Sequence, residues 1–288
     1  MLALGIAAAV GASLLYNTSI ALQALEARGV PQEHSLKPSL LGRLLRNRRW
    51  LGATALGLAG WPLEIVALML APLTVVQPCL VSGLILLLWL GATKLGERPG
   101  RRELLAVAAI VAGVAGVAWA APERTTGHAG TVEILIALGL VAIPIAAPYA
   151  LRGRGAAVGF LAVLSAGFGY AWTAIASKLL TDELAAGALL VGAIWLATAI
   201  ATEAIALLSE MSALQRRGAT HVAPAMFAVQ IIVPVLLAPL LFGESWGETP
   251  LGGAVLVAFM SLAVAGTMLL AGSRSVGVVI DSAHGQRD

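Results

Sequence analysis

Apolar positions fill this chain in long runs separated by short polar breaks, without the narrow apolar stripe of a helix resting on a soluble core. Nine runs can be drawn, at about residues 2–25, 51–72, 74–93, 103–121, 131–150, 156–179, 186–210, 221–242 and 250–271. Such lengths match a hydrocarbon core of about 30 Å, which takes about 20 residues of helix, and a helix satisfies its own backbone polar groups. The pattern predicts an all-α polytopic membrane protein of about nine transmembrane helices. The longest polar break, Glu26 to Arg49, carries Pro31, Pro38 and the cluster Arg43, Arg46, Arg48 and Arg49, and reads as a loop with a short interfacial helix. The first run starts at Leu2 with no basic segment before it and no small-residue cleavage site after it, so it is expected to be retained as a span.

Composition strengthens this picture. The chain is 59% hydrophobic and 11% charged, with mean hydropathy +0.91, whereas soluble domains carry roughly 25% charged residues. One cysteine, Cys79, leaves neither an internal disulfide nor a cysteine metal cluster as an option. The net charge of +3 would raise nucleic acid as a partner for a soluble protein; here it reports topology, and no nucleic-acid partner is expected. With the N-terminus outside and the C-terminus inside, every one of the 18 basic residues except Arg124 and Lys178 falls in an inner segment. The inner set includes Arg28, Lys37, Lys94, Arg98, Arg101, Arg102, Arg152, Arg154, Arg216, Arg217, Arg274 and Arg287 as well as the cluster above. The Ala, Gly and Arg bias points to a GC-rich bacterium, hence to its cytoplasmic membrane.

The chain also repeats itself. Glu64 to Pro78 returns 146 residues later as Glu210 to Pro224, pairing Glu64 with Glu210, Ala67 with Ala213, Leu68 with Leu214, Thr74 with Thr220, Val76 with Val222 and Pro78 with Pro224. The following run ends on Gly96-Glu97 in one copy and Gly243-Glu244 in the other. A weaker echo, offset by 155, links Thr18, Ile20, Ala21 and Leu25 to Thr173, Ile175, Ala176 and Leu180. Four spans in residues 1–125 and four in 156–272 would form two repeats, joined by a single span in 126–155 and followed by a cytoplasmic tail at 273–288. The odd joining span inverts the second repeat, a plan that recurs in secondary transporters.

The Ala71-Pro72 corner, the helix with Pro78 that ends in Leu95-Gly96-Glu97, and the small-residue helix Ala112-Gly113-Val114-Ala115-Gly116 carry a resemblance. Together with the second copy they resemble the EamA-type repeat of the drug/metabolite transporter superfamily. The nine-span layout, Ala121-Pro122-Glu123 and Glu133 are most similar to the branch containing NIPA-type magnesium transporters. Counting back from Pro72, that branch's Gly-Glu pair falls on Gly60 and Trp61 and its Asn on Glu64, so the acidic residue here stands one turn away. The resemblance implies a transporter of a small metabolite or drug-like solute, with magnesium or another divalent cation as the alternative.

Candidate chemistry sits inside the runs. A charge at the bilayer centre costs at least about 2.5–3.5 kcal/mol, so an intramembrane carboxylate reads first as functional and second as helix-to-helix glue. Glu64 lies beside Trp61 and Pro62; Glu203 and Glu210 are seven residues apart on one helical face. Either Glu64 or Glu203 could exchange a proton, and together they could hold a divalent cation. Asn17, Thr18, Gln23, Gln77, Tyr170, Thr173 and Gln230 are polar candidates for a cavity wall, and Trp61 and Trp172 for stacking on an organic solute. Trp50, Trp89, Trp119 and Trp246 fall near span ends and read as interface anchors. The small-residue runs of the fourth and ninth spans read as close-packing surfaces. No phosphate-binding loop is visible, the four histidines His34, His128, His221 and His284 are scattered, and no catalytic arrangement appears, so neither an enzyme nor a cofactor is expected. The expected partners are a small-molecule or ion substrate and the lipid bilayer, with a homodimer left open. A non-transporting subunit or scaffold is the reading from another class.

Overall fold

The computed structural model describes residues 1–80, 82–83, 100–151, 156–216 and 219–271. The Gly96-Glu97 pair, Lys94, Arg98, Trp89, Arg152, Arg154, Arg217, His284, the tail and most of the third expected span lie outside the described residues. Ten α-helices and two short 3-10 turns make up the regular structure of the described residues. They are α1 (Leu2–Arg28), α2 (Pro38–Leu44), α3 (Arg48–Leu70), α4 (Leu73–Leu80), α5 (Arg101–Trp119), α6 (Thr131–Leu151), α7 (Ala156–Ala185), α8 (Leu189–Arg216), α9 (Ala219–Phe242) and α10 (Ala254–Ala271). Seven of them are long and apolar enough to cross a membrane, the make-up of a multi-pass helical membrane protein. In α5 the charges at Arg101, Arg102 and Glu103 confine the apolar part to Leu104–Trp119, and of the third expected span only Leu73–Leu80 is described as helix.

Local sequence sets the helix ends. Asn47 caps α3, its side-chain oxygen accepting from the Arg49 and Trp50 backbone N–H groups at 2.9 and 3.4 Å. Pro72 ends the same helix, because the residue before proline is pushed out of the helical region; Ala71 is extended, with φ −138° and ψ 154°. Pro38 opens α2, where its missing N–H costs nothing. That short helix buries Leu40 and Leu44, and Trp50 at the start of α3 is only 2% exposed. Trp50 is therefore a core residue and not an interface anchor: it belongs to the same buried hydrophobic cluster as Leu40 and Leu44. Trp119, by contrast, is 69% exposed.

Packing follows a reciprocal scheme. Helix α1 packs chiefly on α3, and α7 on α8; α1 also meets α4, and α7 meets α9. Between these groups α1 touches α8 while α3 touches α7, and the pairs α4–α9 and α5–α10 face each other. The α5–α10 crossing is reciprocal to the atom. A Cβ on Gly113 would stand 2.7 and 2.6 Å from the Phe259 carbonyl and the Ala263 N–H nitrogen, and one on Gly266 2.8 Å from both the Ala106 carbonyl and the Ile110 nitrogen. The positions correspond at a constant offset of 153 residues: 113 to 266, 106 to 259 and 110 to 263. Early residues of one helix meet late residues of the other, so the two cross antiparallel, and only glycine lets the backbones come this close.

A polar network ties one end of the bundle together. The Glu244 carboxylate, fully buried, accepts from the Leu73 and Thr74 backbone N–H groups at 2.7 and 3.1 Å and from the Thr74 hydroxyl at 2.6 Å. It thereby supplies the acceptors that the first turn of α4 lacks. Nearby, the Asp182 carboxylate receives Lys178 Nζ at 2.9 Å and Arg124 at 3.2 Å, while Arg124 also donates to the Leu68 carbonyl. Lys178 is fully buried and donates further to the Thr125 carbonyl, and Thr125 donates to that of Phe242. The two basic residues left over by the charge count thus meet on one carboxylate.

Candidate functional site

The helices α1, α3, α4, α7, α8 and α9 enclose a cavity of about 440 Å³. Its wall is mostly aliphatic and aromatic, with Trp61 and Phe227 among the lining residues, and three carboxylates break it: Glu64 from α3, and Glu203 and Glu210 from α8. The i, i+7 spacing puts both α8 carboxylates on the cavity face. Glu64 and Glu210 are 6% and 1% exposed, so both lie within the bundle and neither at its surface.

Each of these two accepts a tyrosine hydroxyl from the neighbouring helix. Tyr16 on α1 donates to Glu64 at 2.7 Å, and Tyr170 on α7 donates to Glu210. The pairs are counterparts across the reciprocal packing, since α1 stands to α3 as α7 stands to α8. Glu64 and Glu210 keep the offset of 146 seen in the sequence, whereas Tyr16 and Tyr170 are 154 apart. The structure therefore shifts the 155-residue echo by one position. Glu203 has no tyrosine donor; it sits beside the Thr173 hydroxyl and close enough to Glu64 and Glu210 for the charges to act on one another.

The amides divide into two groups. Gln77 on α4 is fully buried, lines the cavity, and neither its oxygen nor its nitrogen has a hydrogen-bond partner. Gln230 on α9 also lines the cavity, as does Gln23, which donates to the Thr54 hydroxyl at 2.9 Å. Asn17, by contrast, does not line the cavity. Its nitrogen donates to the Ser13 and Leu80 carbonyls at 2.9 and 3.3 Å, clamping α1 to the end of α4, where the Ser13 hydroxyl also accepts from the Gly83 N–H. Thr18 is likewise spent on its own helix, donating to the Leu14 carbonyl. Trp61 lines the wall and fixes its ring by donating to the Ser177 hydroxyl at 3.1 Å, while Trp172 takes no part in the wall.

Tyr16, Ser19, Thr54 and Phe227 are lining residues that the sequence reading missed. A gapless comparison at offset 154 would have exposed Tyr16, since it matches Gly5, Ala8, Ala12 and Tyr16 with Gly159, Ala162, Ala166 and Tyr170. These positions, spaced by three or four, share one helical face. Among the described residues no Lys, Arg or His lines the cavity, and no group of three or more His, Cys, Asp or Glu is placed to hold a metal ion. Comparisons with family models, with curated proteins and with solved structures returned no match.

Proposed function

We propose that this protein is a secondary transporter that carries a small solute by alternating access between two inverted four-helix repeats, with an ion coupled through the intramembrane glutamates. In this reading there are nine spans, N-out and C-in, with the drug/metabolite transporter superfamily as the plan resembled. The observation that carries the proposal is the placement of the cavity between two quasi-equivalent helix sets, each contributing one Tyr–Glu pair. Substrate sites of inverted-repeat carriers lie at such a junction near the bilayer midplane. The antiparallel α5–α10 crossing supports inversion. A pseudo-dyad along the membrane normal would make corresponding helices parallel, while one in the membrane plane makes them antiparallel, as these two are. A scaffold needs neither a cavity nor three carboxylates facing it, each of which would otherwise cost about 2.5–3.5 kcal/mol at the bilayer centre.

The test is uptake by the purified protein in liposomes under an imposed ion gradient, with amines, amino acids and Mg²⁺ as the panel. Glu64→Gln keeps size and hydrogen-bonding capacity but cannot ionise. A folded Glu64→Gln variant is expected to lose gradient-driven accumulation while retaining exchange of solute for solute. Unchanged accumulation would remove Glu64 from the coupling step, and no uptake of any panel member by the wild type would favour the scaffold.

A further inference from the structure

We propose that the cavity binds an organic ammonium ion: an amine with an apolar or aromatic body and one further hydrogen-bonding group. The inference rests on the transporter reading only in calling the ligand a cargo; the binding site stands on its own geometry. Three carboxylates face a space that no basic side chain lines among the described residues, so this lining is complementary to positive charge. Two of them already accept a tyrosine hydroxyl, which leaves Glu203 as the carboxylate most open to a ligand cation.

A second observation points to a ligand independently of charge. The Gln77 amide, fully buried in the wall, leaves both its donor and its acceptor unpartnered, and one oxygen of Glu210 is unpartnered as well. Burying such groups without partners is costly, and a bound solute that both donates and accepts would satisfy Gln77. The rest of the wall speaks to the body of that solute. It is largely apolar, and the rings of Trp61 and Phe227 favour an organic cation over a hydrated metal, through burial of its carbon surface and attraction of its charge to the ring faces. Magnesium calls for near-octahedral oxygen ligands at about 2.0–2.1 Å and several retained waters, which a predominantly apolar wall does not offer.

The probe is radiolabelled tyramine, which carries an ammonium, an aromatic ring and a phenol hydroxyl that both donates and accepts. Its uncharged isostere 4-propylphenol replaces only the ammonium, by a methyl group. Saturable binding to the full chain in nanodiscs is expected, displaced by unlabelled tyramine and at least tenfold more weakly by 4-propylphenol, and unaffected by millimolar Mg²⁺. Glu203→Gln should weaken binding at least tenfold, and Glu203→Asp, which restores the charge, should recover most of it; the melting temperature of each variant checks that it is folded. Equal displacement by 4-propylphenol, competition by Mg²⁺, unaltered affinity in Glu203→Gln, or no saturable binding by the wild type would each overturn the assignment. The two proposals fail separately. Binding without uptake into liposomes leaves the cation site and removes transport, whereas uptake of neutral or anionic solutes with no amine binding leaves transport and removes the cation site.

Discussion

The two tyrosine hydroxyls are what make a pair of buried carboxylates tolerable in an apolar wall. Each donates to a glutamate that has no basic partner among the described residues, so removing a hydroxyl leaves a buried carboxylate oxygen short of a donor. That loss costs about 1–3 kcal/mol, against about 0.5–1.5 kcal/mol for an ordinary hydrogen bond. Tyr149, whose hydroxyl meets the Ser209 hydroxyl at 2.7 Å, provides the ordinary case in the same protein. Tyr16→Phe and Tyr170→Phe are therefore expected to lower the midpoint of thermal unfolding by similar amounts, and each by more than Tyr149→Phe. A Tyr16→Phe variant as stable as Tyr149→Phe would show that the hydroxyl does not support Glu64. The glutamates were legible in the sequence because an acid inside an apolar run is conspicuous, and Tyr170 stood among the polar candidates, but Tyr16 did not. Aromatic residues are ordinary membrane constituents, and the 155-residue echo was displaced by one position, a rotation of about 100° on a helix of 3.6 residues per turn.

At the level of helices, the strongest constraint is the α5–α10 crossing, where the clash on adding a Cβ would fall on backbone atoms and not on movable side-chain tips. Gly113→Ala must push the two helices apart, and the loss of close packing along the crossing is expected to cost about 2–4 kcal/mol, in the range of severe core changes. Gly52, exposed in α3 with nothing within 4 Å of a Cβ, is the matched control. There alanine should stabilise by about 0.5–1 kcal/mol through helix propensity. Chemical denaturation in detergent would compare the two, and equal effects would mean that the crossing is not tightly packed in the native protein. The Pro72 stop of α3 and the small-residue faces were readable because their causes are local, with glycines three or four residues apart lining one face, whereas the Asn47 cap that starts α3 inside the polar break was not read. Glu244 was readable only as half of a repeated Gly-Glu pair. Its role in capping α4 depends on partners 170 and 171 residues away, which no local pattern reveals.

At the scale of the molecule, charge and packing make the same demand. Arg124 and Lys178, the two basic residues that the charge distribution leaves outside, lie at one end of the bundle and share Asp182 there, and Glu244 joins the two halves close by. Lys37 belongs to the polar segment that the same distribution places inside. Both Lys37 and Thr126 are exposed, while Cys79 is fully buried and can be replaced to give a thiol-free background. In a Cys79→Ser chain, Lys37→Cys should react with an impermeant maleimide only from the cytoplasmic face, and Thr126→Cys only from the opposite face. The sites are separated by α3, the third span and α5, an odd number of crossings, so opposite faces follow when the short α5 and the partly described third span both cross, and also when neither does. If just one of them crosses, the count becomes even and both cysteines react from the same side. The inverted repeat then fails as well, because four crossings in the first half, followed by one joining span, are what turn the second half over. Opposite reactivity would bring the charge bias, the antiparallel α5–α10 contact and the paired Tyr–Glu sites under one symmetry, with Glu64 on the outer side of the cavity's centre and Glu210 on the inner side.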